Sequence, residues 1–115
     1  MKPVLILILG LILVFFSCTK SGAGSGNSID CSTVSASFSS DVQPVILSSC
    51  SYSSGCHGSG SSQGPGALLT YQQIYIYRVS IRSAVASGRM PENGSLSTAE
   101  KNKILCWIDN GTQDN

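Results

Sequence analysis

The sequence predicts a helical fold, because three segments join apolar residues at helical spacing to recognisable start and stop signals. In the last of them, Ser97-Thr98-Ala99-Glu100 is a capping box, in which the first and fourth side chains each satisfy the other's backbone N–H. Ile104, Leu105 and Ile108 follow on one side, and Gly111 stands where a helix ends. In the middle segment Thr70 and Gln73 form the same capping pattern, and Ile74, Tyr77, Ile81, Ala84 and Val85 make one apolar stripe. Gly88 occupies the stop position, so the spacing predicts a helix over 71–87. The run Ile74-Tyr75-Ile76-Tyr77 would also suit the start of a strand. In the first segment Asp41 is the expected N-cap, and Pro44 falls in the first turn, where its missing N–H costs nothing. Val42, Val45 and Ile46 then share a face, and this helix delivers the chain to Cys50. Between the first two helices, Ser53 to Gly66 is rich in Ser and Gly and reads as loop.

The chain ahead of these helices has a different composition. Met1-Lys2-Pro3 is a short positive start, and the apolar run from Val4 to Phe16, broken only by Gly10, is 13 residues long. A membrane-spanning helix needs about 20 apolar residues, whereas a signal-peptide core runs roughly 7–15. The run ends in Phe15-Phe16-Ser17-Cys18, which resembles the bacterial lipobox, although Phe15 stands where Leu is more usual. The resemblance implies that residues 1–17 are a lipoprotein signal and that Cys18 carries the lipid anchor. It implies a location in the bacterial cell envelope, on the periplasmic or outer-membrane side. Residues 18–30 then form a tether rich in Gly and Ser; ten such residues have an r.m.s. span of roughly 15–20 Å. Residues 31–115 are the expected folded domain.

Past the leader the charges balance. Lys20, Arg78, Arg82, Arg89, Lys101 and Lys103 face Asp30, Asp41, Glu92, Glu100, Asp109 and Asp114. With no net charge and no basic cluster, a nucleic-acid partner has no electrostatic support. A domain this small buries little core and needs a staple: disulfides, a metal or a cofactor. With Cys18 assigned to lipid, Cys31, Cys50, Cys56 and Cys106 are left, and an even number in an exported chain suggests pairs.

The residues that carry chemistry are Cys56-His57, with Cys50 upstream, and Met90-Pro91. Covalent haem attachment needs a thiol to add across a porphyrin vinyl group and a His to ligate iron beside it. A Cys followed directly by His meets both needs. The second axial site takes a soft or nitrogen ligand, and Met paired with His raises the reduction potential. The sequence has one His, so two histidines from one chain cannot share an iron. Met1 leaves with the signal, so Met90 is the one thioether available. One haem c with iron held axially by His57 and Met90 is therefore the expected cofactor. Pro91 disfavours a helical Met90, which would then sit on a loop leaving the middle helix.

From Phe38 to Asn115 the chain resembles the small cytochrome c-like domains of bacterial lipoproteins, including the planctomycete-type cytochrome c family. The matching stretches are Asp41-Val42-Gln43-Pro44-Val45-Ile46-Leu47, Cys56-His57-Gly58 and Leu68-Leu69-Thr70-Tyr71. They continue with Gly88-Arg89-Met90-Pro91, Leu96-Ser97 and Trp107-Ile108-Asp109-Asn110-Gly111. The resemblance implies an all-α, cytochrome c-like domain of three or more helices, with the first and last packed together. It implies electron transfer to a redox protein partner rather than catalysis. The departure is the attachment motif. The family has two residues between the thiols, whereas Cys50 and Cys56 are separated by five, Ser51 to Gly55, so the extra residues are expected to bulge outward.

Cys31 and Cys106 are left over and are expected to form a disulfide joining the start of the domain to the last helix. Without haem, Cys50 and Cys56 would pair likewise, and the chain would be a disulfide-stapled lipoprotein serving as a binding or structural module. Zinc on Cys50, Cys56 and His57 is disfavoured, because adjacent Cys and His rarely aim at one tetrahedral ion. One His and no paired carboxylates or phosphate-binding loop leave no catalytic set to assemble.

Overall fold

Helical structure begins one turn earlier than the sequence predicts. A computed structural model describes residues 29–115; the leader, Cys18 and the tether up to Ser28 lie outside the described residues. Ser37 is the first cap: its hydroxyl accepts from the Ser40 N–H at 3.2 Å. Asp41, the expected N-cap, instead reaches back and accepts from the Ser37 N–H at 2.9 Å. The correction has a plain cause, because Ser37 offers a capping oxygen a turn upstream and Asp41 is long enough to reciprocate. The first turn, Phe38–Val42, is a wide π-turn, and helix α1, Gln43–Ser49, continues from it with Pro44 at its start. Val42 and Ile46 are buried, as their spacing requires.

The predicted helix over 71–87 divides at Tyr77 into α2, Tyr71–Ile76, and α3, Arg78–Ala86. Both termini are as expected: Thr70 and Gln73 complete a capping box, and Gly88 has φ +74°. The break falls after Ile74-Tyr75-Ile76, a β-branched and aromatic run with reduced helix propensity. The Arg78 side chain donates to the Tyr75 carbonyl at 2.8 Å and lies 4.1 Å over the Tyr75 ring, which fixes the bend. Ile74, Ala84 and Val85 are buried, while Tyr77 turns outward. The strand alternative is not adopted, and the described residues contain helices and no strands.

Helix α4, Thr98–Asp109, starts at the Ser97/Glu100 capping box and is followed by Gly111 at φ +107°. Ile104 and Leu105 are buried as expected, but so are Cys106 and Trp107. The buried surface exceeds one stripe because α4 is covered from several sides. The Phe38–Val42 turn packs against it, with Phe38 and Trp107 ring centroids 5.5 Å apart. Helix α3 lies along another side, joined at its end by Arg82 to Asp109. The domain's first residues come to a third side through the Cys31–Cys106 disulfide. The tail after α4 folds back over the same aromatic group: Tyr71 donates to Thr112 O and Trp107 Nε1 to Gln113 O, each at 2.8 Å. First and last helical segments are therefore packed together. Among the described residues, no helix is long and apolar enough to cross a membrane.

Candidate functional site

The Ser- and Gly-rich segment after α1 is ordered by hydrogen bonds rather than by apolar burial. Cys50 ends α1, its N–H bonded to Ile46 O at 2.9 Å. The chain then loops out and returns, so that the His57 N–H donates to Cys50 O at 3.0 Å. The Leu68 N–H donates to His57 O at 2.8 Å, which ties the site loop to the segment leading into α2. Ser61 adds a hydroxyl bond to Cys56 O. The backbone around the Cys-His pair is thus fixed from both sides.

The His57 ring is fixed as well. Its Nδ1 lies 3.0 Å from Gly66 O. A carbonyl can only accept, so Nδ1 is the donor and Nε2 is the ring nitrogen left to bind elsewhere. A histidine that ligates a metal is commonly oriented in this way, its second nitrogen donating to a backbone carbonyl.

Met90 approaches from another part of the chain. It follows Gly88 beyond the end of α3, on a loop as expected, and its N–H donates to Ala84 O at 3.2 Å. Cys50, Cys56, His57 and Met90 all line one cavity of about 390 Å³. Its apolar wall comes from Ile46 on α1, Leu68, Ile81, Ala84 and Val85 on α3, and Ile104 on α4. Arg89 and Glu92 are the charged residues at its lining. A largely apolar cavity of a few hundred Å³ with a few converging polar groups has the form of a ligand or cofactor site.

Cys50 and Cys56 are free thiols in this structure, while Cys31 and Cys106 are bonded, with Cα atoms 5.2 Å apart. Burial, and then the neighbouring Cys56, push the Cys50 thiol up to about 11, so it is protonated at neutral pH. The neighbouring Cys56 thiol raises the pKa of the exposed Tyr52 phenol. Among the described residues no three His, Cys, Asp or Glu side chains converge into a metal-holding group.

In the loop between the thiols Tyr52, Ser54 and Gly55 are exposed, on the outside as its length requires. Its first residue turns the other way: Ser51 is buried and its hydroxyl donates to Leu68 O at 2.9 Å. A serine directly after Cys50 has a nearby carbonyl to reach, and satisfying it inside the fold outweighs leaving it in water. Neither Ser51 nor the Gly66 carbonyl was legible as part of the site. The first looks like any loop serine, and the second is a backbone atom with no sequence signal. No protein-family profile, curated protein or solved structure significantly matches the chain.

Proposed function

We propose that this chain is a c-type electron carrier of the cytochrome c-like kind, holding one haem in the cavity between α1, α3 and the Cys56-His57 loop. The observation that carries the reading is the donor set on a single apolar cavity: Cys50, Cys56, His57 and Met90, with His57 Nδ1 tied to Gly66 O. These residue types fit the group chemically. Two thiols can add to two vinyl side chains, and an imidazole and a thioether are the axial pair of high-potential haem proteins. Bound there, haem c would supply one-electron exchange. His57 Nε2 and Met90 Sδ would hold the iron, and the apolar wall from Ile46 to Ile104 would keep water from it.

The chain's remaining features suit a carrier. A lipid on Cys18 and a Gly/Ser-rich tether would hold the domain close to an envelope membrane, within reach of a redox protein partner. This part of the proposal rests on the leader sequence alone.

The test is a pyridine haemochrome assay on the chain co-expressed with haem c maturation genes, which is expected to return one haem per chain. A colourless product with Cys50 and Cys56 disulfide-linked would overturn the reading in favour of a stapled binding module. In the haem-loaded protein, Met90→Ala should abolish the Met-to-iron charge-transfer band and lower the reduction potential. An unchanged spectrum would refute Met90 as a ligand.

A further inference from the structure

Five residues between Cys50 and Cys56 would ordinarily let the two thiols move independently. The loop gives them no such freedom. Its ends meet through the His57 N–H and Cys50 O. Inside, the Cys56 and Gly58 N–H groups both donate to Ser53 O, at 3.1 and 2.8 Å. The buried Ser51 hydroxyl anchors the first part of the loop to Leu68 O, on the strand of chain that His57 O also holds. Gly58 closes the packing. A Cβ at that position would lie 2.7 Å from Ser53 O and 2.8 Å from Ser51 O, distances that no side chain can occupy without moving backbone. The loop therefore crosses over the residue after His57 at a separation only glycine permits.

We infer that Ser51 and Gly58 are positioning residues for the thiol pair, folding the five-residue loop so that Cys50 stays beside Cys56 on the cavity. The use made of the thiols rests on the haem-carrier reading; their placement does not. When the thiols react with a haem, each S–H adds across a vinyl C=C, sulfur bonding one carbon and hydrogen the other. No oxidant or reductant is consumed, so the yield at Cys50 reports position. Ser51 thereby decides whether attachment occurs at two thiols or at Cys56 alone.

The experiment compares wild type, Ser51→Ala, Ser51→Thr and Gly58→Ala in two arms. In the haem-loaded protein, mass spectrometry of haem peptides gives the ratio of double to single attachment. That ratio is expected to fall about five-fold in Ser51→Ala, the worth of one hydrogen bond, and further in Gly58→Ala, with Ser51→Thr returning toward wild type. In haem-free protein with the Cys31–Cys106 disulfide intact, the rate of Cys50 alkylation relative to Cys56 should rise by a similar factor in Ser51→Ala and be restored by Ser51→Thr. Unchanged ratios in a Ser51→Ala protein of native helicity would overturn the inference, whatever becomes of Gly58→Ala. If wild type takes up no haem, the carrier reading fails, and the alkylation ratio alone decides the placement.

Discussion

Around Trp107 the chain is held by bulk: Phe38, Trp107, Ile74 and Leu105 pack together, and a disulfide spans from Cys31 to Cys106. Around His57 it is held by direction. Ser51, Ser61 and the His57 ring each take a named backbone carbonyl, and Ile46, Leu68, Val85 and Ile104 turn the edge of the same core toward a cavity. The contrast teaches how so short a domain divides its work. Apolar burial and chain closure supply stability at one end, which frees the other to be written in Ser and Gly. Those residues add little burial, but they set backbone positions closely enough to aim one imidazole.

The contrast can be broken by substitution. Cys31→Ser opens the loop that spans 75 residues, and on the chain-entropy model it should cost about 4–5 kcal/mol in urea unfolding. A loss below about 2 kcal/mol would show that the packed end stands without its staple. Ile74→Ala removes a fully buried side chain from the same end and should cost about 3 kcal/mol, read from the same unfolding midpoint. At the other end, His57→Ala should lower haem-free stability by only about 1 kcal/mol, the worth of the bond to Gly66 O, while abolishing haem uptake. A His57→Ala protein as unstable as Ile74→Ala would erase the distinction between the two regions.

The smallest effect belongs to the surface. Arg82 and Asp109 form an ion pair at 2.6 Å whose side chains are 45% and 37% exposed, so Asp109→Asn should cost about 0.5 kcal/mol or less. Arg82 holds the Asp109 carboxyl below its ordinary value of 3.8. A carboxyl depressed by folding stabilises above its unfolded value, and that contribution is lost as pH falls through the folded one. Wild type and Asp109→Asn should therefore differ at neutral pH and converge below pH 3.8. A difference that persisted in stronger acid would mean that the side chain acts by packing.

Local structure was legible wherever a short motif satisfies itself. The Ser97/Glu100 and Thr70/Gln73 capping boxes, and the glycines at 88 and 111, need only residues within one turn. Asp41 does not cap as expected for the same reason: caps from Ser37 and from Asp41 are both locally sound, and the chain uses Ser37 for the Ser40 N–H and Asp41 for the Ser37 N–H. The break at Tyr77 escaped the pattern because it depends on an arginine side chain finding a carbonyl and a ring at once.

The residue types at the site could be named in advance, since His57 is the one imidazole and Met90 the one thioether past the leader. Their meeting on one cavity could not. By itself the sequence determined the helices, the residue types proposed to hold a haem and the thiols left over for a disulfide, because each follows from side-chain chemistry or spacing of a few residues. Tertiary structure alone decided that α4 is buried on several sides, that Ser51 faces inward and that Gly66 O orients His57. Those outcomes depend on which distant backbone lies within 3 Å, a distance no local pattern encodes.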